Sequence, residues 1–218
     1  MRFKPPPPSS EIGWRVEFRS MEIQLTDHEN AAFAVFIVLL TRTILYFNLN
    51  FYMPLSKVDE NMRVSQKRDA VLTQGFWFRK DVYTLEDMSG LNTPLNQSRP
   101  NSPIPKISTY DKMSLNEIFN GSGSSTHRTR GHFKGIISYI QEYVSTITLT
   151  DQQRDKINEY ISVIKRKASG EFPTGASWIR SFVQSHPLYK KDSVVNSEIN
   201  YDLIKMIQKL GDSNQYNE

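Results

Sequence analysis

The chain has 218 residues, 38% hydrophobic and 23% charged, with a net charge of +4, which suits one good-sized domain or two small ones. It contains no cysteine, which excludes a disulfide framework, a thiolate zinc site and a thiol nucleophile. Lys and Arg are spread rather than clustered, which argues against nucleic-acid binding and leaves an anionic small molecule such as a nucleotide as the better-suited partner.

The chain opens without a secretory-signal pattern. Met1-Arg-Phe-Lys runs straight into four prolines, so residues 5–11 read as an extended linker. A domain that begins in such a segment is expected to be the middle of a longer chain. Trp14, Val16 and Phe18 then alternate with Arg15, Glu17 and Arg19, which predicts a β-strand over 13–19 with one apolar and one charged face. A carboxylate between two guanidiniums has two readings. It is the solvated outer face of an antiparallel strand, or it is a site for a hard metal and a phosphate or carboxylate. Glu22 and Gln24 resume the alternation beyond Ser20. A bend there would bring them to the side of Glu17 and Arg19.

Thr26 and Glu29 form a capping-box pattern ahead of an apolar run, Ala31 through Leu40. The run breaks at Thr41-Arg42-Thr43, short of the roughly 20 residues a membrane span needs. Continuing through Arg42 would cost about 2.5–3.5 kcal/mol on insertion scales. The expectation is a buried core helix packed against the strand, with no membrane association. Pro54 marks a loop, residues 59–64 a charged turn and residues 66–72 a helix. Phe76-Trp77-Phe78 reads as core packing, with a stacking surface for a base as the alternative.

Residues 84–112 are rich in Asn, Ser and Pro and read as a mobile surface insertion. Asn120 to Thr126 reads as a linker, since it lacks the lysine of a phosphate-binding loop. Four helices should follow. The first carries Ile136, Ile137, Ile140, Tyr143, Val144 and Ile147. The second runs from an N-cap at Thr150 to Gly170, and the third from Pro173-Thr174 to just before Pro187. The fourth is capped by Ser197 and ends at Gly211. The four histidines, His28, His127, His132 and His186, show no metal-ligand spacing. The division expected is a strand and core-helix part over 1–82, an insertion and linker over 83–131, and a helical subdomain over 132–218.

Several blocks resemble one family in one order along the chain. They include Met1-Arg-Phe-Lys-Pro-Pro-Pro-Pro8, the strand Trp14-Arg-Val-Glu-Phe-Arg19 with Met21-Glu-Ile-Gln-Leu-Thr-Asp-His-Glu-Asn30, and Pro54-Leu-Ser-Lys-Val-Asp-Glu-Asn-Met62. Gln66-Lys-Arg-Asp-Ala-Val71, Phe76-Trp-Phe-Arg-Lys80, Lys165-Arg-Lys-Ala-Ser-Gly-Glu171, Trp178-Ile-Arg180 and His186-Pro-Leu-Tyr-Lys-Lys-Asp-Ser-Val194 follow. These resemble the last third of the catalytic subunit of eukaryotic glutamate–cysteine ligase.

The resemblance implies an α+β fold, part of a glutamine-synthetase-like carboxylate–amine ligase: antiparallel strands and a core helix, then a helical cluster. It implies ATP-dependent joining of L-glutamate and L-cysteine, the first step of glutathione biosynthesis, with Mg2+ and in the cytoplasm. By motif position it makes Glu17 a metal ligand and Arg19 a catalytic, phosphoryl-binding arginine. Arg15, Glu22 and Gln24 are weaker candidates for which a structural role is the favoured reading, and Arg15 is the one of them named for binding the nucleotide. The partners implied are the missing upstream part of the ligase and a regulatory subunit, to which a cysteine-free chain cannot be disulfide-linked. The alternative from another class is a non-catalytic helical interaction or regulatory module on the same scaffold. On either reading, the 218 residues alone are expected to be inactive.

Overall fold

The computed structural model describes residues 2–9, 11–17, 24–80, 82, 110–122 and 133–212. The architecture is α+β: eight helices and two separate two-stranded antiparallel sheets among the described residues. Strand β1, Arg2–Lys4, pairs with β2, Arg15–Glu17. Helix α1, Asp27–Phe47, starts at Thr26, whose Oγ1 accepts the Glu29 backbone N–H at 3.3 Å. It ends at Asn48, in the left-handed conformation that asparagine tolerates, with the Asn48 N–H returned to the Ile44 carbonyl.

Helix α2, Leu55–Ser65, follows Pro54, and α3, Ala70–Thr73, is a single turn. The charged turn expected at 59–64 is therefore helix, and it starts earlier than the charges suggest. Pro54 has no N–H to satisfy, so the helix begins there without a side-chain cap. Strand β3, Phe76–Arg79, pairs with β4, Tyr110–Met113. Helix α4, Leu115–Asn120, carries a complete capping box. Ser114 Oγ accepts from Glu117 N at 3.2 Å, and Ser114 N donates to Glu117 Oε2 at 2.8 Å. Residues 110–112, within the expected insertion, form part of a strand, and Asn120, at the start of the expected linker, closes a helix. The remaining residues of the expected insertion and linker lie outside the described ones, apart from Gly121 and Ser122.

Helices α5, Ile136–Thr146, α6, Asp151–Ser169, α7, Gly175–Ser185, and α8, Ser197–Asp212, complete the chain. Thr150 and Gln153 cap α6 reciprocally, and Gly170 ends it at φ 81°. A Cβ at Gly170 would meet Leu72 Cδ2 at 2.0 Å, so the glycine permits both the turn and a close approach to α3. At α8 the cap is Asn196, whose Oδ1 accepts from Ile199 N at 2.9 Å, rather than Ser197. The helix runs past Gly211 to Asp212.

The core gathers Ala32, Phe36 and Leu39 of α1, Ile118 of α4, Ile137, Ile140 and Val144 of α5, and Ile161 and Ile164 of α6. Helix α1 lies along α6 and α5, and α4 packs against both of the latter. The expectation that α1 packs on the strand at 13–19 is corrected: its buried face rests on helices. Val38, expected in the core, stands 59% exposed. The reason is the helical period. An all-apolar run covers every face of the helix, and the described residues cover only one of them.

Candidate functional site

The antiparallel register sets Arg2 opposite Glu17, Phe3 opposite Val16 and Lys4 opposite Arg15. Opposed residues share a face, so positions 2, 4, 15 and 17 form one face of the ribbon and positions 3 and 16 the other. One carboxylate therefore shares its face with three cationic positions. Sequence reasoning did not find β1, although Arg2-Phe3-Lys4 alternates in the manner of a short strand.

The Arg15 side chain is exposed, and its guanidinium donates to the Pro5 carbonyl at 3.2 Å. Trp14, on the expected apolar face, is 71% exposed, so no described element covers it. For Glu17 the structure describes the backbone in β2. Arg19 and Glu22 lie outside the described residues. Gln24 precedes α1, where its backbone N–H donates to Asn30 Oδ1 at 3.0 Å and its carbonyl accepts from Asn30 Nδ2 at 3.3 Å.

A divalent magnesium ion requires several oxygen ligands. Among the described residues no group of three or more His, Cys, Asp or Glu comes together. By register, position 17 is the one acidic position on a ribbon face whose other positions are Arg2, Lys4 and Arg15. That donor set suits an anion and supplies one ligand of a metal, not a metal site.

Two polar clusters went unnoticed in the sequence. The aromatic run lies on β3, where Phe76 is buried and Phe78 packs between Phe51 and Phe133 at ring distances of 5.7 and 5.4 Å. Core packing thus accounts for both phenylalanines. Trp77 is held from α2 and β4. Asn61 Oδ1 accepts its backbone N–H at 2.7 Å, Asn61 Nδ2 donates to its carbonyl at 2.9 Å, and Lys57 Nζ sits 3.2 Å from its ring centroid. Its indole N–H donates to Glu60 Oε2 at 2.7 Å, and Lys112 Nζ approaches Glu60 Oε1 at 2.5 Å. The hydrogen bonds from Lys112 and then Trp77 hold the Glu60 carboxyl below its ordinary pKa. Beside it, Arg79 is 1% exposed, donating to the Tyr52 carbonyl at 3.2 Å and the Tyr110 hydroxyl at 3.3 Å. The partners of Trp77 and Arg79 are 16 to 31 residues away in sequence, so no local pattern announces them.

The second cluster joins α1 to α6. Glu29 Oε1 meets Lys167 Nζ at 2.6 Å inside the interface. Next to it lies a cavity of about 200 Å³ lined by Gln24, Phe33, Leu115, Phe119, Lys167 and Phe172, among others. Its lining is apolar apart from one paired ion and two small polar groups, and it presents no nucleophile, base or oxyanion donor set.

The family model described as glutamate-cysteine ligase matches residues 1–210. The chain is 47% identical over 218 residues to a protein of Schizosaccharomyces pombe named glutamate–cysteine ligase, covering 97% of this chain and 29% of that one. It is 48% identical over 214 residues to the Mus musculus glutamate–cysteine ligase catalytic subunit, covering 97% of this chain and 32% of that one. The Homo sapiens protein of the same name is 48% identical over 206 residues, 94% of this chain and 30% of that one. The chain thus spans about a third of the length of these relatives.

Proposed function

Because the chain belongs to the glutamate–cysteine ligase family, we propose that it is the C-terminal part of an ATP-dependent ligase that makes γ-L-glutamyl-L-cysteine. The reading rests on one observation: the match over residues 1–210 includes the ribbon whose single carboxylate shares its face with three cationic positions. The ligase part would belong to a glutamine-synthetase-like sheet and act in the cytoplasm on L-glutamate, L-cysteine and ATP.

The chemistry is two steps. An oxygen of the glutamate γ-carboxylate attacks the γ-phosphorus of ATP, the bond to the bridging oxygen breaks, and ADP leaves. The cysteine amine then attacks the acyl carbon, phosphate departs and the amine loses a proton. Such a reaction concentrates negative charge, and a positively charged face lowers the barrier by meeting that charge as it develops. In this reading Arg15 and Arg19 bind the nucleotide and Arg19 contacts the transferring phosphoryl group. Glu17 would give one ligand to a magnesium ion, which would supply neutralisation of the phosphate charge. The other ligands would come from the portion of the ligase that the relatives carry and these residues do not span. The mouse and human relatives are named catalytic subunits, and a regulatory subunit is correspondingly a candidate partner here.

The test is a chimera in which these 218 residues replace the matching segment of the Schizosaccharomyces pombe ligase. It should couple glutamate to cysteine with ADP release. R19A should lower kcat by about 10^3-fold or more, in the range of phosphoryl-stabilising arginines, and E17Q should raise the magnesium concentration needed for half-maximal rate. A folded chimera with no turnover would overturn the reading in favour of a non-catalytic module. Turnover indifferent to both substitutions would overturn the site.

A further inference from the structure

Helix α1 is about 30 Å long at 1.5 Å per residue and, among the described residues, is covered on one side only. Its buried side, Ala32, Phe36, Leu39 and Thr43, rests on α5 and α6. On the other side Ala34, Val38, Thr41 and Leu45 follow at spacings of four, three and four, and all four are exposed. Leu45 is 77% exposed and Tyr46 is 58% exposed. The Thr41 hydroxyl is turned inward onto the Val38 carbonyl at 2.9 Å, which leaves its methyl group to complete the stripe. Arg42 is the one charge bordering it between Ala31 and Phe47. A continuous apolar stripe of this length is what a packed interface presents, and a chain that left it in water would lose the free energy of burying it.

The length and composition of α1 would also suit a membrane span. Its surroundings argue otherwise. Helix α6 lies along it and brings Glu159 to 3.5 Å from His28 and Lys167 to Glu29. Hydrocarbon around α1 would have to accommodate these charges, at a cost that folded protein on one face does not incur. The amount of polypeptide absent from these residues indicates the occupant. More than two thirds of each relative lies outside the matched segment.

Resting on the family reading, we propose that the Ala34–Val38–Thr41–Leu45 face of α1 is the surface on which the remaining portion of the ligase polypeptide docks. The contact is apolar and helical-face, centred on Val38 and Leu45, and it joins this part of the molecule to the part carrying the other ligands.

The chain has no cysteine, so single thiols report on the face directly. V38C, L45C and, as a control on exposed α6, Q152C are made in the 218-residue chain and in the chimera. Maleimide modification is followed by peptide mass spectrometry. In the isolated chain all three thiols should react at similar rates. In the chimera V38C and L45C should react more slowly by about tenfold at least, as expected of a closed interface, while Q152C is unchanged. Undiminished reactivity of V38C and L45C in a folded chimera would overturn the proposal. So would protection already present in the isolated chain, whether through a second copy, seen as a concentration-dependent mass, or through phosphatidylcholine–phosphatidylserine vesicles, seen by flotation. If the chimera does not accumulate, the chain is co-expressed with the separate remainder of the Schizosaccharomyces pombe ligase. Capture of the parent but not of V38D or L45D supports the proposal, and failure to capture the parent overturns it. Protection without turnover would remove the catalytic reading and leave the docking face standing. Turnover without protection would do the reverse.

Discussion

Glu29 and Lys167 form an ion pair 2.6 Å long between the first turn of α1 and the last turn of α6, with side chains 4% and 15% exposed. Helix α1 places an acid at its positive end and α6 a base at its negative end, so each charge is favourable in its own helix before the two meet. The pair ties two elements about 140 residues apart in sequence. Removing one partner leaves a buried charge unpaired, which costs about 3–5 kcal/mol. K167M should therefore destabilise the chain by that amount in urea unfolding. The double variant E29Q/K167M should recover a large part of the loss. Equal stability of K167M and parent would show the pair to be solvated.

The Trp77–Glu60–Lys112 contact should depend on pH in one direction. The folded-state pKa of Glu60 is depressed, first by the Lys112 hydrogen bond and then by that of Trp77. Its contribution is fully present above the unfolded carboxylate value, about 4.3, and is lost as pH falls through the lower folded value. In a W14F/W178F variant, which leaves Trp77 as the sole tryptophan, the emission should stay constant above pH 5 and change only in acid. E60Q should remove that acid transition. A midpoint at or above the ordinary carboxylate range would contradict the assigned contacts.

His186 links α7 to α8 with an assigned tautomer. Its Nδ1 accepts the Leu188 N–H at 3.2 Å, so in the neutral ring the proton sits on Nε2, which faces Asp202 Oδ2 at 3.1 Å. Nitrogen NMR of the neutral ring should show a pyridine-like Nδ1 and a pyrrole-like Nε2. D202A should speed amide exchange at the start of α8 while leaving α5 and α6 protected. The opposite tautomer would mean that the α7–α8 link is built differently.

Position along α1 should decide tolerance to substitution in the isolated chain. V38D lies on the exposed face and should change stability by no more than about 0.5 kcal/mol. F36A removes a ring that is 4% exposed and stands 5.7 Å from Phe119, and it should cost about 3–5 kcal/mol. Thermal or urea unfolding of the two variants side by side reads the face directly. A large loss in V38D would place that face in the core after all.

Local hydrogen bonding was legible without coordinates. Thr26, Thr150, Gly170 and Thr174 mark helix ends through contacts within a few residues, and each of those ends appears where the pattern puts it. The helical cluster follows from apolar residues spaced by three and four, and the α+β class is what the family resemblance implies. Asn196 displaced Ser197 as a cap because two adjacent residues can each accept the same kind of bond, and backbone geometry chooses between them.

What only the tertiary structure decided are the non-local pairings. Nothing near Arg2 says that its backbone pairs in register with Glu17, and nothing near Arg79 says that Tyr52 and Tyr110 receive it. An apolar run reports that a helix will be buried, yet the side that is buried depends on what else is folded around it. For α1, among the described residues, that is α5 and α6 on one face. The candidate site divides in the same way. The alternation of Arg15 and Glu17 is written in the strand itself, since side chains alternate with a period of two. Which positions of β1 stand opposite 15 and 17 is set by the register, a property of the contact between two strands and not of either sequence alone.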